Sequence, residues 1–297
     1  MSPKLKVAIL GSGRIGLDLL IKVRRSPVLE CALFIGRNPA SPQLAKAREL
    51  GVRVSADGID AIMREPSVCD VVFDATSAAD HQRHWPLLRQ LGKRVIDMTP
   101  SNLGAMFVPA VDPHGAELAQ NINMVSCGGQ ASIPMAHALA AVLPDIEYIE
   151  AVSSIASLSA GPATRANLDE YIETTERGLQ RFSGCARTKA ILILNPANPP
   201  IHMQTTVSAK VASADLDRVR ASVDAMVTRI RAYVPGYELI VPPVYEQNRV
   251  VVMVRVAGRG DSLPTYAGNL DIINCAAIAA AERIPAGEVP TPELVAA

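Results

Sequence analysis

The stretch "KVAILGSGRIGLDLLIKVRRS", Lys6 to Ser26, sets an apolar run against a glycine-rich turn and then an amphipathic segment. The run is continuous rather than alternating, as expected for a strand buried on both faces of a parallel sheet. Gly11, Gly13 and Gly16 fall at the spacing G-x-G-x-x-G between that strand and the following helix. The first glycine suits the tight turn, the second lets a pyrophosphate approach the backbone, and the third lets helix pack on strand. A dinucleotide site is therefore predicted at Gly11, Gly13 and Gly16.

Outward from this turn, strand-like and helix-like segments alternate. "ECALFIG", "CDVVFDATS", "KRVIDMT" and "NINMVSC" read as strands; "SPQLAKARELG" and "AADHQRHWPLLRQLG" read as helices. That order implies a doubly wound, Rossmann-type α/β parallel sheet. After about residue 144 the pattern changes. "IEYIEAVSSIAS", "KAILILN", "HMQTTVSAKV" and "YELIVPPVYEQNRVVVMVRVAG" read as strands, with helices at "LDEYIETTERGLQRFSG" and "DLDRVRASVDAMVTRIRAYV" and a loop of small residues at Ser159–Asn167. This predicts a second α+β domain, mostly antiparallel, suited to catalysis and dimerisation. The expected organisation is 1–130 for dinucleotide binding, 131–268 for the second domain, and 269–297 as a C-terminal helix returning to the first.

The chain has 297 residues, 49% of them hydrophobic, with 29 basic and 29 acidic side chains. Zero formal charge argues against a nucleic-acid partner. The start shows no secretory pattern and no apolar run reaches membrane-spanning length, so a cytoplasmic protein with no membrane partner is expected. Five cysteines without a C-x-x-C pair argue against zinc, and no metal is expected. His81 and His84, at i and i+3, read as a solvated helix face. His137 reads as structural, and His202 as a weak candidate base.

Cys127 stands apart from the other cysteines. It is the last residue of the predicted strand "NINMVSC", is succeeded by Gly128 and Gly129, and precedes a helix whose positive N-terminus would favour thiolate. A thiolate near a nicotinamide points to aldehyde oxidation through a thiohemiacetal and a thioester. At the end of the second strand, "FIGRNPAS" has no acid to hold a ribose diol. Either Arg37 accepts a 2′-phosphate, making NADP the cofactor, or Asn38 bonds the ribose and Arg37 is solvated.

The segments "KVAILGSGRIG", "VFDATSA", "IDMTP", "NINMVSCGGQASIPM", "SAGPATRANLDEY", "YVPGY" and "YAGNLDI" together resemble the acylating acetaldehyde dehydrogenases. The resemblance implies that a short aldehyde, NAD and coenzyme A give acyl-CoA and NADH. It implies Cys127 as the acyl-carrying nucleophile and Ser12, Gly13, Arg14 and Ile15 as ligands of the cofactor phosphates. It further implies a second cofactor segment, Ser159, Ala160, Gly161, Pro162, Ala163, Thr164, Arg165, Ala166 and Asn167, with Asn269 at the nicotinamide end. The family works with 4-hydroxy-2-oxovalerate aldolase, so a homodimer or a heterotetramer with that partner is implied. Three departures stand out: Asn38 where members have Asp, Ala163 where many have Gly, and Gln204-Thr205 where many have Arg-Asp. A phosphate-dependent semialdehyde dehydrogenase and a non-catalytic nucleotide-binding subunit are the rival readings.

Overall fold

The computed structural model describes residues 3–112, 114–115 and 119–285; the side chains of Pro162 and Ala163 lie outside the described part. Contacts group the chain into two units. One comprises Met1–Phe107, Asp112–Met124 and Ala277–Ala297; the other comprises Val108–Val111 and Val125–Ala276.

The first unit is built on β1 (Leu5–Leu10), β2 (Leu29–Ile35), β3 (Val54–Ser55), β4 (Val71–Asp74), β5 (Arg94–Asp97), β6 (Ala105–Met106) and β7 (Asn121–Asn123). Its helices are α1 (Arg14–Arg25), α2 (Pro42–Glu49), α3 (Asp60–Arg64) and α4 (Ala78–Gln90). The strand order is β3-β2-β1-β4-β5-β7-β6, and every pairing is parallel. The order reverses beside β1, at the topological switch point where such sheets bind ligands. Val7, Ala8 and Ile9 are fully buried, which explains the continuous apolar run of β1. One face packs Ala8, Leu10, Leu33, Ile35, Val72, Val95, Ile62 and Leu88 together, with Trp85 against them. The chain from Ala277 onward groups with this unit, and Ser26 Oγ donates to Glu282 there at 2.7 Å.

The second unit holds a five-stranded sheet of order β11-β12-β10-β8-β9. Its strands are β8 (Tyr148–Ala156), β9 (Thr188–Asn195), β10 (Met203–Lys210), β11 (Tyr237–Glu246) and β12 (Arg249–Val256). The helices are α5 (Cys127–Ala140), α6 (Pro162–Ala166), α7 (Leu168–Ser183) and α8 (Leu216–Arg231); α9 (Gly268–Ala281) runs to the end of the second unit and beyond it. Three strand pairings are antiparallel and β8·β9 is parallel. The parallel pair follows from the crossover through α7, since parallel neighbours cannot be joined by a hairpin. Helix α6 lies within the segment expected to be a loop; Pro162 at its first position has a preset φ and needs no hydrogen-bond donor.

Helix α5 is buried almost all round, from Gly128 to Ala136 without a break. It packs against α7, α8 and β10. Tyr237, also fully buried, donates its hydroxyl to Ala131 O at 2.8 Å and ties β11 to this helix. On β8, alternate residues Ile149, Ala151, Ser153 and Ile155 turn into the core. The opposite face of the sheet is half-exposed, with Ile191 and Ile193 of β9 at 38% and 45%. No helix among the described residues is long and apolar enough to cross a membrane.

Candidate active site

In the first unit, the glycine turn has the geometry its spacing implies. Gly11 has φ +125°, and a Cβ there would lie 2.5 Å from Ala75 O. A Cβ on Gly16 would fall 1.9 Å from Gly11 O, so only glycine lets α1 start this close to the strand. At Gly13 nothing lies within 4 Å of the place a Cβ would take, which leaves the approach to the helix N-terminus open. Gly13 is the residue preceding α1, and no side chain caps that end. The open approach at Gly13 and the positive end of α1 fit a dinucleotide pyrophosphate. Arg14 and Gly13 are exposed, Ser12 and Ile15 half-buried. At the end of β2, Asn38 Oδ1 accepts from Ala40 N at 3.0 Å, so the residue replacing the usual acid shapes its own turn. Arg37 is exposed and its guanidinium stands 3.5 Å from Asp80, which Arg83 also engages.

Asp74, Asp97 and Asn123 stand in register at the carboxyl ends of β4, β5 and β7. His81 and His84 both bond Asp74 Oδ2 through Nδ1 at 2.9 Å, and His81 Nε2 lies 3.5 Å from Asp97. This corrects the expected solvated pair: the shared helix face turns inward, onto a carboxylate at the strand end. Burial alone would raise the Asp74 pKa, but the two imidazole hydrogen bonds and their charge outweigh it and hold the group down at about 2. Burial pushes Asp97 up to about 6 against the pull of His81, Ser101 and Thr99. Burial opposes charge on His81, yet the Asp74 bond and the fields of Asp97 and Asp74 raise its pKa. Asp97 also fixes the segment after β5, accepting from Thr99 N at 2.8 Å, Ser101 Oγ at 2.5 Å and Asn123 Nδ2 at 2.9 Å.

β7 of the first unit ends at Asn123, and Cys127, in the second unit, is the first residue of α5 rather than the last of a strand. Val125 turns the chain with φ +61°, a strained value for a β-branched residue. Ser126 caps α5: its Oγ accepts from Gly129 N at 2.8 Å and pairs with Thr175 Oγ1 at 2.6 Å. A Cβ on Gly128 would lie 1.9 Å from Tyr171 Oη and 3.2 Å from Ser153 Oγ, so the missing side chain admits two hydroxyls beside Cys127. Ser153 and Thr205 face each other across β8 and β10, their hydroxyls 2.9 Å apart.

Burial pushes the Cys127 thiol up to about 11, opposed by the Tyr171 hydroxyl and the backbone N–H groups of Gly128 and Cys127. The helix end does favour thiolate, as expected, but desolvation is larger and the resting group is a neutral thiol. His137 bonds Phe182 O at 2.8 Å, a structural role. Sequence reasoning missed Tyr171 and Ser153. For Tyr171 the only signal is its place on the inward face of α7, with Thr174, Thr175, Gly178 and Leu179; for Ser153 it is the alternation of β8.

The second predicted cofactor segment is largely held by itself. Ser159 Oγ donates to Ala156 O at 2.8 Å, and Arg165 pins the turn through Ala160 O at 3.1 Å and Ser157 O at 3.0 Å. Gly161 has open space around it, Arg165 and Ala166 are exposed, and Thr164 and Asn167 are half-buried. Asn269 is buried near the start of α9 with Oδ1 unpartnered; it is not a member of the hydroxyl cluster around Cys127.

Residues 127–264, from the cysteine onward, match the family described as prokaryotic acetaldehyde dehydrogenase, dimerisation. The chain is 58% identical over 286 residues to the acetaldehyde dehydrogenase of Pectobacterium atrosepticum, covering 96% of this chain and 97% of the relative. It is 55% identical to that of Spirochaeta aurantia, covering 94% of each.

The chain belongs to the acetaldehyde dehydrogenase family.

As a member of it, the protein is an aldehyde-oxidising oxidoreductase that uses a nicotinamide cofactor and carries a region for homo-oligomerisation. The fold is shared more widely. Aspartate semialdehyde dehydrogenase II of Vibrio cholerae superposes with TM-score 0.65 at 15% identity, covering 94% of this chain and 98% of that one. The Candida albicans aspartate semialdehyde dehydrogenase, solved with NADP, gives 0.64 at 11%, covering 95% and 100%.

Proposed function

We propose that this acetaldehyde dehydrogenase converts acetaldehyde or another short aldehyde to its acyl-CoA through a thioester on Cys127, with NAD as hydride acceptor. The observation that carries the reading is Cys127 at the first position of α5, with two backbone N–H groups and the Tyr171 hydroxyl bearing on its sulfur. The Cys127 thiol gives up its proton to water, and the resulting thiolate attacks the aldehyde carbonyl carbon. The carbonyl oxygen gathers negative charge, which the positive end of α5 favours. Bound nicotinamide supplies an acceptor for the hydride lost from that carbon, leaving a thioester on Cys127. The thiol of coenzyme A then displaces the Cys127 sulfur, which returns to the enzyme.

The open space at Gly13 supports binding of the cofactor phosphates along Gly11–Gly16. The unpartnered Oδ1 of buried Asn269 supports its assignment to the nicotinamide amide, which brings donors. NAD rather than NADP is favoured because Asp80 already partners the Arg37 guanidinium. The resemblance in sequence supports 4-hydroxy-2-oxovalerate aldolase as partner, homodimers or heterotetramers with it, the Ser159–Asn167 segment as a second cofactor contact, and a cytoplasmic location.

The test is reduced-cofactor absorbance with acetaldehyde, NAD or NADP, with and without coenzyme A. Steady turnover that requires coenzyme A and disappears in Cys127→Ser is expected. Full turnover in that variant, or turnover indifferent to coenzyme A, overturns the proposal.

A further inference from the structure

Tyr171 Oη is buried without a partner in regular hydrogen-bond geometry, and no carboxylate among the described residues bears on the neighbouring Cys127 sulfur. It is within interaction range of Cys127, Ser153 and Ser126, and Tyr171 itself is only 6% exposed. Ser153, 3% exposed, bonds Thr205, 1% exposed, at 2.9 Å. A buried hydroxyl left unpaired costs free energy comparable to a lost hydrogen bond, so a hydroxyl held there needs a use. The missing Cβ of Gly128 is what makes the space for it: any side chain would collide with Tyr171 Oη.

Resting on the reading of Cys127 as nucleophile, we propose that Tyr171 is a catalytic hydrogen-bond donor to the Cys127 sulfur, backed by a hydroxyl relay through Ser153 to Thr205. In the ionised state every donor points one way. Thr205 donates to Ser153, Ser153 donates to Tyr171, and Tyr171 donates to the thiolate. Each bond polarises the next, and a donor facing a charged acceptor gains most in a low-dielectric surrounding. The relay supplies donors where a carboxylate would supply an acceptor. It stabilises thiolate and does not act as a base, because burial raises the Tyr171 pKa well above its ordinary value and Thr205 has no usable one.

The experiment compares the wild type with Tyr171→Phe, which removes one oxygen and keeps the ring. The pH dependence of iodoacetamide alkylation at Cys127 is followed by mass spectrometry of the peptide, with Cys127→Ser as the blank. Alkylation should move to higher pH by about one unit or more, and kcat should fall at least about tenfold with KM little changed. Ser153→Ala and Thr205→Val should shift it less, and neither should add to Tyr171→Phe; Thr205→Ser should behave as wild type. An unchanged alkylation profile and kcat in Tyr171→Phe overturns the relay, even with Cys127→Ser inactive. An active Cys127→Ser overturns the nucleophile assignment instead.

Discussion

Asp74→Asn tests the buried charge cluster of the first unit. The Asp74 carboxyl is fully buried and titrates at about 2 instead of its ordinary 3.8, because His81 and His84 both bond Oδ2. A depressed carboxyl pKa stabilises the folded state above the unfolded value, and that stability is lost as pH falls through the folded value. The shift corresponds to about 2–3 kcal/mol at pH 7. At pH 3, between the two values, roughly half of it remains. The groups facing Asp74 are His81 and His84 of α4, with Asp97 of β5 beyond His81. The chain has a single tryptophan, Trp85, adjacent to His84 and packed on the core of this same unit. Its fluorescence in urea therefore follows the unit that contains the cluster. With a slope of about 2 kcal/mol per molar urea, the variant's midpoint should fall by roughly 1 M at pH 7. The gap between the two proteins should narrow by about half at pH 3. A midpoint unchanged at pH 7, or a gap of constant size down to pH 3, refutes the reasoning.

Gly16→Ala puts a methyl 1.9 Å from Gly11 O, so the turn must shift; NAD should bind at least about tenfold more weakly by calorimetry, and an unchanged Kd counts against the pyrophosphate assignment. Arg37→Ala removes a cation already shared with Asp80, and exposed pairs of this kind are worth about 1 kcal/mol or less. Competition binding should show the affinities for NAD and NADP both unchanged within about twofold; a selective loss of NADP affinity would place Arg37 on a 2′-phosphate, and a large loss of NAD affinity would place it in the NAD site. Ile193→Asp sets a charge on the half-exposed face of the second sheet, where Ile191 and Ile193 stand out from the surface. Sedimentation should show dissociation of the homo-oligomer, whereas an intact oligomer would place the dimerisation surface elsewhere.

The first unit could be read from its sequence because its signals are local. A buried strand, three glycines and a helix lie within twenty-odd residues, and each glycine meets the contact its spacing implies: Gly11 against Ala75, Gly16 against Gly11, Gly13 against nothing. The helix that begins at Cys127 is local in the same way, since Ser126, Gly128 and Gly129 are its neighbours in sequence. His81 and His84 show where locality fails. Spacing of three says that they share a face, but only the sheet decides whether that face meets water or Asp74.

The environment of Cys127 is less legible still, because it is assembled from β8, β10 and α7 by register. Ser153 meets Thr205 only through the antiparallel pairing of β8 with β10. Shifting that register by one residue would bring Val152 or Ser154 to the position and turn Ser153 to the other face. Tyr171 arrives from a helix whose amphipathic pattern marks it simply as an inward residue. The helix-end effect on Cys127 has the sign its position in the sequence implies, but desolvation depends on everything packed around the sulfur and leaves no local trace. A departure such as Thr205 therefore carries little meaning alone. Seen with Ser153 and Tyr171, it marks the far end of a row of hydroxyls that reaches the sulfur through Tyr171. On the proposed relay, a shift of that register removes the support behind Tyr171 and leaves its hydroxyl alone to face the thiolate.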